Sequence, residues 1–266
     1  MSSFHDHNRR AWDRLAEKRR RFTQPARDED LTDPLASLDP RGWLGGDVAG
    51  KPLLCLAAGG GRQSAQYATA GAVVTVVDIS PRMLALDRQV AAERGLDIRV
   101  IEASMDDLSA LSPASFQIVI HPVSTCYLPD IGAVYREVAR VMVPGGVYIS
   151  QHKQPVSLQA DVSPTARGYE LIEPYYRSGP LPPVGESLHR ERGALEFLHR
   201  WEEMIGGLCR AGFVIEDLSE PLHAQTDASP GDFKHRSGYA PPYVRIKARR
   251  VGEPASEDRK AKIWSP

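Results

Sequence analysis

The residues best suited to chemistry fall at the ends of apolar runs. Ala58–Gly59–Gly60–Gly61 follows the run Pro52–Ala57 and precedes a helical pattern, Arg62–Ala70. Glycines at such a juncture let the chain turn sharply and approach a ligand, and the free N–H groups that open the next helix face it. Asp78, seventeen residues after Gly61, closes a second run, Ala72–Val77. A carboxylate there can accept both hydroxyls of a ribose. His121 closes a further run, Phe116–His121, and His152 follows another, Gly146–Gln151. Either imidazole can serve as a general base at a strand end or be a structural histidine bonded to backbone.

These residues need elements that bring them together. Apolar runs at Pro52–Ala57, Ala72–Val77, Ile98–Ile101, Phe116–His121 and Gly146–Gln151 alternate with helical patterns at Arg62–Ala70, Pro81–Arg94 and Ile131–Arg140. That alternation predicts repeated βαβ units around a mostly parallel, doubly wound sheet of the α/β class. In such sheets the carboxyl ends of several strands converge on one crevice, where ligands bind. A further helix is expected around Arg9–Arg21, and the segment Lys153–Pro183 is too long for a simple connection, which suggests a lid or binding surface. The polar tail from Gly252 is expected to fray.

Four stretches taken together, Leu53–Gly61, Asp78–Leu84, Ser104–Leu108 and Val143–Pro144–Gly145–Gly146, resemble the successive motifs of class I S-adenosylmethionine-dependent methyltransferases, particularly the methyltransferase type 11 domain group. The resemblance implies a Rossmann-like, seven-stranded, mostly parallel sheet. It also implies an N-terminal helix and loop lid over 1–50, a cofactor-binding core over 51–152, and a substrate cap after the fifth strand over 153–195. The rest of the sheet would fall in 196–250 and a flexible tail in 251–266. It implies S-adenosylmethionine as cofactor and a small-molecule methyl acceptor that the residues do not identify.

Carried over by position, the resemblance sets Ala57, Ala58, Gly59, Gly60 and Gly61 against the methionine and ribose, with Arg62 or Gln63 near the carboxylate. Asp78 would hold the ribose hydroxyls, Ser80 would follow it, and Ile79 and Met83 would pack on the adenine. Family members often have Gly-Asp where this chain has Ala103–Ser104, so Ser104, Met105 and Asp106 would supply the adenine contact instead. His121, Pro122 and Val123 would run past the sulfonium, with His121 the first candidate for catalysis. Trp12 would close over the cofactor, and Tyr127, His152, Tyr175 and Tyr176 would line an acceptor pocket.

Composition narrows the alternatives. With 33 Lys+Arg against 34 Asp+Glu, the net charge is −1, which argues against a surface built for polyanions. The basic run Arg9, Arg10, Arg14, Lys18, Arg19, Arg20 and Arg21 lacks interleaved aromatics and reads as a solvated helix face. An RNA methyltransferase therefore stands as an alternative only. An NAD(P)-dependent oxidoreductase is a second, weakened by Ser64 at the third glycine position. A cofactor-binding protein without transfer activity is a third. Cys55, Cys126 and Cys209 suggest neither a disulfide framework nor a metal cluster. With no signal peptide or membrane span in the sequence, the expectation is a cytoplasmic protein, monomeric or homodimeric.

Overall fold

The computed structural model describes residues 3–20, 22–185 and 187–251. In chain order it contains helix α1 (Ser3–Glu17), the short helices α2 (Asp28–Thr32) and α3 (Pro34–Leu38), strand β1 (Pro52–Leu56), α4 (Gln63–Thr69), β2 (Val73–Asp78), α5 (Pro81–Arg94), β3 (Ile98–Glu102) and β4 (Phe116–His121). There follow α6 (Ile131–Val141), β5 (Met142–Lys153), α7 (Pro155–Gln159), α8 (Gly207–Arg210), β6 (Phe213–Ser219), α9 (Phe233–Arg236) and β7 (Tyr243–Arg250). The seven strands form one sheet in the order β3-β2-β1-β4-β5-β7-β6. β1 to β5 are parallel, and β7 runs antiparallel to both β5 and β6. The doubly wound, mostly parallel fold expected from the alternation is the fold observed.

The strand sequences follow from where they sit. β1 (Pro-Leu-Leu-Cys-Leu) and β2 (Val-Val-Thr-Val-Val-Asp) are nearly unbroken apolar runs because helices cover both faces of a parallel sheet. On one face Leu54, Leu56 and Val119 pack with Val134, Tyr135 and Val138 of α6. On the other, Leu53, Cys55, Val76 and Ile120 pack with Tyr67 of α4 and Leu84 of α5. β7, reading Tyr-Val-Arg-Ile-Lys-Ala-Arg-Arg, alternates buried and half-buried positions instead.

Sheet order reverses between β1 and β4, so their carboxyl ends diverge into a crevice. α5 is fixed at that end by local chemistry: Ser80 caps it, its hydroxyl oxygen accepting the Met83 N–H at 3.1 Å, Pro81 opens it and Gly95 at φ +63° ends it.

Two expectations on the elements are corrected. The N-terminal helix begins at Ser3, well before Arg9, and stops at Glu17. Ala11 belongs to the sheet core, with Phe4 and Trp12 packed against it. These positions form one helical stripe that the buried, polar Asn8 interrupts. Arg21 lies outside the described residues, as does all of the tail except Val251. β5 starts at Met142 rather than Gly146, pairing first with Phe116 and then resuming at Ile118 after an irregularity.

Beyond β5 the chain folds as α7 and a loop whose backbone Arg236 staples. The Arg236 guanidinium, fully buried, donates to the carbonyls of Ser157 at 2.7 Å, Ala160 at 2.8 Å and Asp161 at 2.8 Å.

Candidate functional site

A cavity of about 850 Å³ opens at the carboxyl ends of β1, β2, β4 and β5, within the ~300–1,000 Å³ usual for small-molecule sites. Its first wall is the turn after β1. Ala57 adopts φ +49° and Gly60 φ +119°, and a non-glycine residue in that region costs about 1–2 kcal/mol. Strain of this kind persists where the surroundings hold it. Ala57 is held by its N–H to the Val77 carbonyl at 2.8 Å, and the following glycines by Asp87, a completely buried carboxylate on α5 that accepts the N–H of Gly60 at 2.8 Å, the N–H of Gly61 at 3.0 Å and the Ser64 hydroxyl. Burial pushes its carboxyl up to about 6, even though those hydrogen bonds pull the other way.

Asp78 sits opposite at the end of β2. One carboxylate oxygen accepts the Gly59 N–H at 2.9 Å and the other the Ser80 N–H at 2.9 Å. Burial raises this carboxyl as well, to about 6. Gly59 cannot be larger, because a Cβ there would lie 2.9 Å from the Met83 Cβ and 3.0 Å from the Asp78 Cβ and Cγ.

Ala57, Ala58, Gly59 and Gly60 line the cavity beside Asp78, Ile79 and Met83. Gln63, at the start of α4, also lines it, with a buried Oε1 that takes no hydrogen bond among the described residues. Ser104 and Met105 form one flank, Pro122 and Val123 pass across it, and Trp12 of α1 covers it, its ring edge-on to Tyr127 at 5.6 Å.

Seven residues named from the sequence stand elsewhere. Gly61 turns away from the cavity: a Cβ on it would come 2.7 Å from the Leu86 carbonyl oxygen. Ser80 serves as the α5 cap and donates to the Asp13 carboxylate at 2.7 Å. Asp106 lies behind the lining, bonded to His5 Nε2 at 3.0 Å and to the Ser104 hydroxyl. His121, the first catalytic candidate, is buried, hydrogen-bonded at 2.7 Å to the hydroxyls of both Tyr148 and Ser124. Burial lowers its pKa to about 3, so it stays neutral. It is not itself among the residues that line the cavity, although its bonding partner Ser124 is, and both of its ring nitrogens are occupied by hydroxyls.

His152 is likewise buried between Thr125 and Ser150 at 2.9 and 2.8 Å. Tyr175 and Tyr176 belong to a loop packed on Arg200–Trp201, not over the cavity: the Tyr175 hydroxyl accepts the Trp201 N–H at 3.2 Å, and Tyr176 is 79% exposed.

Of the four acceptor-side candidates only Tyr127 lines the cavity. Sequence reasoning missed its neighbours Asn8, Gln151, Glu191, His223 and Tyr243. Gln151 alone carried a readable signal, as the last residue of an expected strand.

A doubly wound sheet with a strained glycine turn and a buried acid facing each other across its crevice defines a nucleotide-type ligand site. Residues 54–150 match the family model described as a methyltransferase domain. The uncharacterized methyltransferase YbaJ of Bacillus subtilis is 32% identical over 235 residues, 83% of this chain and 91% of that protein. A ubiquinone biosynthesis O-methyltransferase of Xanthomonas euvesicatoria is 28% identical over 178 residues, 66% of this chain and 68% of that one. The crystal structure of an S-adenosylmethionine dependent methyltransferase from Mesorhizobium loti superposes with a TM-score of 0.61 at 23% identity, covering 77% of this chain and 93% of that one. The chain belongs to the class I S-adenosylmethionine-dependent methyltransferases, and S-adenosylmethionine is its cofactor. The oxidoreductase alternative falls with that assignment. Among the described residues no helix is long and apolar enough to cross a membrane.

Proposed function

We propose that the enzyme transfers a methyl group to a small-molecule acceptor inside this one cavity, with the cofactor at the glycine-turn end and the acceptor beyond Pro122–Val123. The observation that carries the reading is one continuous space whose two ends differ in chemistry. At the first end the lone Gln63 Oε1 suits the ammonium of the methionine moiety, Asp78 the ribose hydroxyls, and Ile79, Met83, Ser104 and Met105 the adenine. At the second, Tyr127, Leu128, Gln151, Glu191 and Tyr243 leave room for a second molecule.

The cofactor supplies an already activated methyl group, so the protein's task is to place a nucleophile in line and exclude water. A polyanionic acceptor fits poorly, since the lining carries the carboxylates of Asp78 and Glu191 and a single arginine, Arg62. That is the argument against RNA. The name of the Xanthomonas relative also favours a small molecule. Free thiols at Cys55, Cys126 and Cys209 suit the cytoplasm.

Isothermal calorimetry with S-adenosylhomocysteine tests the site. Binding heat is expected from the wild type, and Asp78→Ala, losing charge-assisted bonds worth about 3 kcal/mol, should weaken it about 100-fold. Equal affinity in both would refute the assignment of Asp78.

A further inference from the structure

Gln151 and Arg245 are register partners across the β5–β7 pairing. The Arg245 Nε–H donates to Gln151 Oε1 at 2.9 Å. A guanidinium only donates, so this bond fixes which way the Gln151 amide is turned. Its oxygen is held against Arg245, and its nitrogen takes no partner among the described residues. Gln151 lines the cavity, and Arg245 stands one side chain behind it. This part of the wall therefore carries an N–H donor whose orientation is set.

The charge behind that donor has no counter-ion among the described residues. Arg245 is half-buried, yet of the five N–H donors of a guanidinium it uses the one on Nε. Acids on the adjoining strand are engaged by other groups: Glu216 pairs with Lys247 and Arg249, and Asp217 accepts the Trp43 Nε1–H at 2.8 Å with Arg41 at 3.9 Å. Glu220 accepts from Gln154 at 2.7 Å. Burial pulls the Arg245 pKa down and Arg41 pushes the same way, opposed by Tyr67 but by no carboxylate. A guanidinium keeps its proton at neutral pH, so the penalty of partly withdrawing it from water stands until an anion offsets it.

The neighbouring wall supplies no such anion. Glu191 is matched by Lys153 at 2.9 Å, and Glu196 by Lys153 and Arg190, two cations against two anions. His223, its ring edge-on to Tyr243 at 5.3 Å, carries no negative charge in either of its ordinary forms. Arg245 is a surplus positive charge at this end.

We propose that the methyl acceptor carries a carboxylate and that Gln151 recognises it, with Arg245 as the positioning residue that turns the amide and supplies the opposing charge. This rests on the reading of the cavity given above. One carboxylate oxygen accepts from Gln151 Nε2 within the field of the guanidinium. An ammonium in that place would meet an N–H donor and a cation, with the one acceptor, Gln151 Oε1, already taken. A polyanion remains disfavoured, because a single surplus cation offsets a single charge.

The test uses enzyme saturated with S-adenosylhomocysteine, which covers Arg62 and Gln63 at the other end, and titrates in benzoate, benzyl alcohol and benzylamine by saturation-transfer NMR. Benzoate should bind roughly 10–100-fold more tightly than the other two. Gln151→Glu keeps the shape of the side chain but sets an anion against Arg245. It should make benzylamine the preferred probe, a reversal that loss of a merely structural side chain would not produce. Arg245→Gln should weaken benzoate about tenfold, and Arg245→Lys, which keeps the charge, should restore part of that loss. S-adenosylhomocysteine binding heat checks that each variant is folded.

Benzoate binding no tighter than the other two, binding of none of the three, or the wild-type order kept in Gln151→Glu would overturn the proposal. So would full benzoate affinity in Arg245→Gln, or Arg245→Lys binding no better than Arg245→Gln. Absence of S-adenosylhomocysteine heat from the wild type would instead overturn the underlying reading of the cavity.

Discussion

Asp87 offers the most quantitative test of how the glycine turn is held. Its carboxylate is completely buried and binds two consecutive glycine amides and a serine hydroxyl. Burial lifts its pKa from an ordinary 3.8 to about 6, and the nearby charge of Asp78 adds to the push. Between those two values the folded protein holds a proton that the unfolded chain has released. Stability from this group is therefore present at low pH and lost as pH rises through about 6. At about 1.4 kcal/mol per pH unit, the interval comes to about 3 kcal/mol.

Asparagine at position 87 does not titrate. The unfolding free energy of Asp87→Asn relative to wild type should then shift in the variant's favour by about 2.4 kcal/mol between pH 4 and pH 7, whatever its offset from the lost acceptor. Carboxylates common to both proteins cancel in the difference. Asp78 cancels incompletely, because it ionises more readily once its neighbour is neutral, and that coupling acts in the same direction. Urea titrations of ligand-free protein at half-unit pH steps measure the difference, provided the two proteins share one m-value. A flat difference, or one that grows in favour of wild type as pH rises, would show that Asp87 does not titrate as its burial requires.

Two further substitutions separate the cavity wall from its scaffold. Gly59→Ala forces a Cβ against Met83 and Asp78; a loss of about 1–3 kcal/mol in urea unfolding and at least tenfold weaker S-adenosylhomocysteine binding are expected, and native-like binding would mean the turn yields freely. His121→Phe removes one hydrogen bond from each of the buried hydroxyls of Tyr148 and Ser124. It should cost about 1–3 kcal/mol of stability while leaving the S-adenosylhomocysteine binding heat and its pH profile in place, and abolished binding in a folded variant would return His121 to the site.

The cofactor end was legible because its parts are close in sequence. A strand, a glycine turn and a helix occupy 52–69, and the acid that faces them ends the next strand. Such local order survives in periodicity and spacing alone. His121 shows where that method stops. Position at a strand end was readable, but which face a side chain takes depends on alternation. His121 shares the face of Val119, which packs in the α6-side core, while Ile118 and Ile120 belong to the other. A histidine two residues after a core valine, within hydrogen-bond reach of the buried Tyr148, is drawn into that core and bonded there. Asp87 was missed for a related reason: a carboxylate on the inner stripe of α5 has no sequence signature until the amides that satisfy it are known.

The end of the cavity lined by Tyr127 and Glu191 was illegible because tertiary contacts alone assemble it, and Asn8 shows how completely. Its amide nitrogen donates to the carbonyls of Tyr127 at 2.8 Å and Leu195 at 3.1 Å, and its oxygen accepts the Leu195 N–H at 2.7 Å. One buried side chain on α1 thereby ties the turn after β4, which carries Tyr127, to the segment that carries Glu191. A buried amide with its donors and acceptor used in this way fixes register as well as adding stability. The basic residues that made α1 look like a solvated face obscured this role, since helix periodicity weighs Asn8 as polar and places it outside. This wall of the cavity is thus organised from the helix farthest from it in sequence, and the position of Glu191 relative to Tyr127 depends on α1 being docked.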